Sequence, residues 1–313
     1  MVRQGKIAII GAGHVGSHCA MALALGGVGE QIVLIDKDEL KAKAQAWDVS
    51  DSLSFLQPAT KVSSGSYSDC TDANIVVIAI GEPRLPGQTR LDLLGNSIAM
   101  LSELLSRLKL LPIPGIVITI TNPADIVADY VRRGLGLSRF RAFGTGTLLD
   151  TARLIRLLSE QTGYPRSEID AVALGEHGDS SMIPFSQVRL GGKPFDGFPS
   201  LDRSEILKRT RWAGMEIIDG KGSTEFGIGQ ALSYLCDGIL ADRQRVLPLS
   251  VSLEGEYGQS GVHCGVPCRV GQMGIEAIVE LDLTPQESYQ LNESCDLIRR
   301  HIHVAYEQLN HRN

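Results

Sequence analysis

No stretch of this sequence strings together 18 apolar residues, so no membrane-spanning helix is expected. A basic excess is missing too. Acidic residues number 36 against 30 basic ones, a formal net charge of −6, and the two signs are interspersed. That excludes the electrostatic footprint of a nucleic-acid binder or of an anionic-membrane patch. The six cysteines, Cys19, Cys70, Cys236, Cys264, Cys268 and Cys295, form no zinc-knuckle spacing. Cys264 and Cys268 are closest, beside His263, but no second pair or partnered His lies at ligand distance. The expectation is buried thiols in a reducing cytosol and no metal. No signal peptide, internal repeat or low-complexity segment is visible. What remains is an ordinary globular composition, 43% hydrophobic and 21% charged, in 313 residues. The chain reads as cytoplasmic and long enough for two linked domains.

What is present is an alternation. Nearly continuous Ile/Val-rich runs at Lys6–Ile10, Gln31–Ile35, Ile75–Ile80 and Gly115–Ile120 read as strands buried on both faces. Helical patterns lie between them, at Val15–Leu25, Glu39–Leu53 and Leu91–Leu108. Strand–helix–strand alternation predicts an α/β, doubly wound parallel sheet over residues 1–144. Residues 145–313 read as an α+β substrate domain. It has helices at Thr147–Thr162, Ser204–Lys221 and Gly227–Asp242, and strands at Ile169–Leu174 and Met182–Leu190. A strand meander at Arg245–Ile278 and a helix at Pro285–Asn310 close the chain.

"GAGHVG" at 11–16 follows the first strand and opens the first helix. Gly11 suits a tight turn, Gly13 lets a pyrophosphate approach the backbone, and Gly16 lets helix and strand pack closely. The helix N-terminus offers N–H groups and partial positive charge to phosphates. Asp36 stands 20 residues after Gly16, at the end of the second strand. A carboxylate there accepts ribose hydroxyls of NAD and repels the extra phosphate of NADP.

Three further segments concentrate polar groups that a core would reject. Asn122, in "TNP", sits at the C-terminal edge of the fourth strand, where open α/β sheets bind ligands. Asp150 and Arg153, in "GTGTLLDTAR", share one face of an otherwise apolar helix. His177, in "LGEHGDSSM", lies on a glycine-flanked turn. A carboxylate beside an imidazole raises its pKa and orients it. A buried arginine grips a substrate carboxylate bidentately, and a loop arginine stabilises charge on a carbonyl oxygen. With a nicotinamide added, these groups make a site that reduces a 2-oxo acid by hydride transfer.

The order GAGHVG, Asp36, the P-G-x-T-R loop, TNPAD, GTGTLLDTAR, GEHGDSS and KGSTEFGIG resembles the L-lactate and malate dehydrogenase superfamily over essentially the whole chain. The resemblance implies a Rossmann NAD domain, a substrate domain, and closure of the 82–92 loop over a small 2-oxo or 2-hydroxy acid. It implies that His177 donates and accepts the proton and that Asp150 orients it. Arg153 would clamp the substrate carboxylate, Arg90 would polarise the carbonyl, and Asn122 would lie beside substrate and nicotinamide. Thr224 would line the side-chain pocket. The cofactor is expected against Gly11, Gly13, His14, Val15, Gly16, Asp36, Gly81 and Asn122. A homotetramer or homodimer follows from the same resemblance. A non-catalytic NAD(H)-binding sensor on this fold is the alternative class, though such a chain should have lost one of the four residues His177, Asp150, Arg153 or Arg90.

Arg84, six residues before Arg90, stands where lactate-type members resemble one another in carrying Gln and malate-type members carry Arg. Yet Glu176, Thr224 and the GTGTLLDTAR segment look lactate-type. A guanidinium facing a methyl group in a dry site costs ~3–5 kcal/mol if nothing compensates it. This favours oxaloacetate and malate. Pyruvate and lactate follow if Glu82 neutralises Arg84 or the loop turns it away, and a bulkier 2-oxo acid comes third.

Overall fold

The computed structural model describes residues 5–56, 60–81 and 90–310, with side chains at 5–56, 60–81 and 97–306. In chain order the first half gives β1 (Lys6–Ile10), α1 (His14–Leu25), β2 (Gln31–Ile35), α2 (Glu39–Ser52), β3 (Lys61–Ser64), β4 (Ile75–Ile78), α3 (Arg90–Leu108), β5 (Ile116–Thr119), α4 (Ala124–Leu135) and β6 (Ala142–Gly144). These six strands are all parallel, in the order β3-β2-β1-β4-β5-β6. This is the doubly wound sheet that the alternation predicts, and its strand order reverses between β1 and β4. The ends of β1 and β4 therefore open a crevice there, flanked by Gly11–Gly16 and Gly81. Ile7, Ile9, Ile10, Ile75 and Ile78 are almost wholly buried. Each is worth roughly 1.5–3 kcal/mol relative to exposure, which is why these runs read so clearly.

The second half gives α5 (Leu148–Thr162), β7 (Ile169–Asp170), β8 (Arg189–Leu190), β9 (Lys193–Pro194), α6 (Arg203–Lys221), α7 (Phe226–Leu240), β10 (Arg245–Glu254), β11 (Ser260–Gly271), β12 (Gly274–Ile278) and α8 (Pro285–Asn310). The meander β10–β12 does not stand apart. β10 pairs antiparallel with β6 through Ser250 and Gly144, so one nine-stranded sheet crosses the molecule. β7–β9 form a separate small sheet.

Two expected strands are corrected. The run Ile169–Leu174 is a strand only at β7, and Met182–Leu190 only at β8. A single bridge joins Leu174 to Met182, and one 3-10 turn spans Phe185–Gln187. Pro184 has no N–H for a ladder. Phe185 and Val188 are instead buried against Leu154, Leu158 and Ile206 of the two helices nearby. β3, α4 and β6 were not expected from the sequence pattern. β3 reads "KVSS" and is mostly exposed at the sheet edge, so no apolar run announces it.

Candidate active site

The glycine turn after β1 shows why each glycine stands where it does. Gly11 has φ +107°, and a Cβ on it would lie 2.5 Å from the Ala79 carbonyl oxygen. A Cβ on Gly16 would lie 1.8 Å from the Gly11 carbonyl oxygen, so α1 touches its own entry turn. Gly13 differs. A Cβ there would meet nothing nearer than Lys41 Nζ at 4.0 Å. Its missing side chain leaves open space at the start of α1, where no side chain caps the helix. Asp36 at the end of β2 accepts the Ala12 N–H at 2.8 Å and the Asp38 N–H at 3.1 Å. The carboxylate thus fixes the glycine turn while keeping lone pairs for further donors. An open glycine, an uncapped helix start and a strand-end carboxylate fit a dinucleotide. His14 is exposed and Val15 half-buried on the first turn of α1. Gly81 lies near Thr121, whose hydroxyl donates to the Ile80 carbonyl at 2.6 Å. The ends of β4 and β5 are thereby held together, with Asn122 exposed at the edge.

Across the sheet, α5 carries Asp150 and Arg153 one turn apart, with Leu154, Leu157 and Leu158 buried on its core side. The Thr147 hydroxyl donates to the Ala173 carbonyl at 2.6 Å, and the Ala173 N–H returns to the Thr151 hydroxyl at 2.9 Å. These two bonds fix the segment entering the His177 turn against the first turn of α5. Gly175 and Gly265 exchange backbone bonds at 2.9 Å each way, and the Ser294 hydroxyl of α8 accepts the Glu176 N–H at 2.8 Å. Held from three sides, the turn presents His177 to α5.

There His177 Nδ1 lies 2.6 Å from Asp150 Oδ2, while Arg153 Nη1 donates to Asp150 Oδ1 at 3.0 Å. The Asp150 and Arg153 side chains are only 8% and 11% exposed. Burial alone would raise the Asp150 carboxyl. The His177 and Arg153 charges outweigh it and hold the group below the usual carboxylate range. The Asp150 charge in turn raises the His177 imidazole above its ordinary value, against burial and Arg153. An ionised Asp150 can only accept, so Nδ1 carries its hydrogen and Nε2 is left as the working nitrogen.

Arg153 has a further property. Its Nε is buried and has no partner among the described residues. A Cβ on Gly214 of α6 would lie 3.1 Å from its Nη2, so the helix backs directly onto the guanidinium. One side of the group is thus committed to Asp150 and a buried donor is left over. A bidentate carboxylate ligand satisfies such a donor.

The structure therefore brings Asp150, Arg153 and His177 together. It places Thr224 half-buried in the link between α6 and α7, where Ser223 and Lys221 both bond Glu225. Arg84 and Glu82 lie outside the described residues. Arg90 opens α3, but its side chain is likewise outside them. Two groups escaped the sequence reading. Asp125, on the first turn of α4, accepts the His177 N–H at 2.8 Å and the Ser250 hydroxyl at 2.6 Å. An acidic residue at a helix start reads as a dipole partner, and a serine inside the apolar β10 reads as neutral filler, so neither carried a signal. Among the described residues no His/Cys/Asp/Glu group is placed to hold a metal, and no helix is long and apolar enough to cross a membrane. All six cysteines are buried free thiols.

Comparison with known proteins points the same way. The family model for the NAD binding domain of lactate/malate dehydrogenase matches residues 5–144, and that for the alpha/beta C-terminal domain of lactate/malate dehydrogenase matches 147–308. L-lactate dehydrogenase 3 of Bacillus cereus is 41% identical over 305 residues, spanning 95% of this chain and 96% of its own. L-lactate dehydrogenase 1 of Bifidobacterium longum is 37% identical over 308 residues, spanning 96% and 98%. Among solved structures, MGS-M5, a lactate dehydrogenase enzyme from a deep-sea metagenome library of the Medee basin, superposes with TM-score 0.92 at 33% identity. That match covers 97% of this chain and all of the other. The minor L-lactate dehydrogenase of Enterococcus mundtii gives TM-score 0.91 at 33% identity, covering 96% and 98%.

Proposed function

This chain belongs to the lactate/malate dehydrogenase family and is an NAD-dependent 2-hydroxyacid oxidoreductase, and from that footing we propose that it interconverts pyruvate and L-lactate at a site built on His177, Asp150 and Arg153. The observation that carries the chemistry is the buried chain from the His177 imidazole through Asp150 to Arg153, with the Arg153 Nε unpartnered among the described residues. The pyruvate assignment is supported by relatives of 37–41% identity named L-lactate dehydrogenase.

Gly11, Gly13, His14, Val15, Gly16, Asp36 and Gly81 would hold the NAD, which supplies the hydride when bound. The rest falls to side chains of this chain. Arg153 grips the substrate carboxylate as a planar fork. Asn122 is assigned to the carbonyl, and to Arg90 falls the stabilising of charge growing on its oxygen. His177 gives that oxygen the Nε2 proton as the carbonyl carbon is reduced, and takes it back in the oxidation. Asp150 stays ionised throughout and balances the imidazolium. Thr224 lines the side-chain end of the pocket. The domain limits that go with this reading are 1–144 and 145–313. We also assign the chain to the cytoplasm and to a homotetramer or homodimer. Exposed Trp212, Met215, Ile217 and Ile218 on α6 and Leu40 and Trp47 on α2 support burial against another copy.

The pH dependence follows from the raised imidazole. Reduction needs protonated His177, so its kcat/KM should stay flat at low pH. It should fall about tenfold per unit above an inflection higher than the ~6.5 of an ordinary histidine. Oxidation needs the neutral ring and should rise through the same inflection. Asp150→Asn should pull the inflection down in both directions. Rate profiles run both ways on one preparation check this, and equal slopes of the same sign would refute the assignment of His177.

Arg84 favours a second substrate, oxaloacetate, because the resemblance to malate-type members implies that a guanidinium at that position would pair with a second carboxylate. The deciding measurement is kcat/KM for pyruvate and oxaloacetate, in the parent and in Arg84→Gln. On the pyruvate reading the parent prefers pyruvate and the substitution changes that preference less than about threefold. On the oxaloacetate reading it costs ~3–4 kcal/mol, roughly 10²–10³-fold, in oxaloacetate kcat/KM alone.

A further inference from the structure

Asp125 is a fully buried carboxylate, and among the described residues no basic side chain is bonded to it. Its partners there are the His177 main-chain N–H and the Ser250 hydroxyl. Asp150 next door has Arg153, and Asp129 one turn further along α4 has Arg133 and His263. A bare buried charge is expensive, and asparagine would satisfy the same two partners with the same shape. Asparagine would accept from the His177 N–H with its oxygen and donate to Ser250 with its amide. What aspartate adds is only negative charge, set against the turn whose imidazole must carry a proton. The residue also joins three elements: the first turn of α4, the 174–182 segment and β10. Asn122 lies three residues before it, with its carbonyl held by the Ser97 hydroxyl at 3.2 Å. Asp125 therefore fixes how the end of β5 and the His177 turn stand to each other.

We propose that Asp125 is a positioning residue for the reaction: it anchors the His177 main chain to the Asn122 segment and, by its charge, favours the proton-bearing imidazole. The proposal rests on His177 being the proton donor. The charged and titratable groups around this pair are Asp150 and Arg153 from α5, Glu176 from the same turn and Cys264 from β11. His301 of α8 lies 3.9 Å from Glu176. Burial pushes the Asp125 carboxyl up to about 6, against the bonds from Ser250 and His177. The sign matters. A carboxyl raised above its unfolded value stabilises the native state when protonated, and that contribution is lost as pH rises from the ordinary aspartate range through about 6. Above that, the ionised group weakens the fold. A charge that weakens the fold and sits on the catalytic turn serves the reaction.

The test is Asp125→Asn in the full chain, read by reduction rate against pH, NADH binding and thermal melting at pH 8. The upper limb of the kcat/KM profile should move down by about half to one pH unit, giving a loss that grows with pH through the inflection and levels off at roughly three- to tenfold. NADH binding should be unchanged and the melting temperature equal or higher. Asp125→Ala, which also frees the His177 N–H, should lose rate across the whole profile. An unmoved limb in Asp125→Asn overturns the proposal, whatever the melting temperature does. His177→Asn separates the two ideas. If the limb survives in His177→Asn, the proton-donor reading fails. If it vanishes there but does not move in Asp125→Asn, only the role of Asp125 fails.

Discussion

His177→Asn is expected to lower kcat for 2-oxo acid reduction by roughly 10³-fold or more, at the strong end of what a positioned acid–base contributes. The loss should fall on kcat, because on the proposed mechanism the substituted group acts on the proton and does not hold the cofactor. NADH affinity, read by fluorescence quenching, should change less than about threefold. The fold should survive, because Asp150 keeps its 3.0 Å bond to Arg153 and is not left as a lone buried charge. The turn also keeps its backbone anchors at Gly265, Ser294 and Asp125. A variant that retained a tenth of the parental kcat would place the proton donor elsewhere.

Arg153→Lys is expected to lose ~10²–10³-fold in kcat/KM although the charge is kept, a difference of about 3–4 kcal/mol. The reason is geometric. The guanidinium is fixed between Asp150 on α5 and Gly214 of α6, with its Nε buried and without a hydrogen-bond partner among the described residues. A planar fork in that setting engages Asp150 on one side and a carboxylate on the other. An ammonium is a single point on a flexible stem and cannot hold both in fixed directions. Most of the loss should appear in KM, with His177 and Asp150 still paired. Equal kinetics for lysine and arginine would mean that charge alone is read at this position.

Much of this molecule is legible in its sequence. Strands buried on both faces announce themselves as apolar runs, and β1, β2, β4 and β5 fall where those runs lie. The glycine turn is legible because its demands are local. Gly11 needs positive φ, and Gly16 needs room against its own turn. The shared face of Asp150 and Arg153 follows from helical spacing alone.

What the sequence pattern could not show is governed by partners distant along the chain. α4 carries Asp125 and Asp129 at buried positions, where sequence alone calls for apolar residues. Their burial is sustained by the His177 N–H and Ser250 for one, and by His263 and Arg133 for the other. None of those pairings can be read from local spacing, except Arg133 at one turn. Likewise the meander β10–β12 was expected, but not that β10 would join β6 and extend the sheet to nine strands. The sequence by itself determined the family and the glycine turn, and it singled out the polar residues to which the chemistry is assigned. Only the tertiary structure decided that the His177 turn is held by α4, β11 and α8 at once. Burial of an apolar side chain is written in its own identity, whereas burial of a charge depends on where its distant partners come to lie.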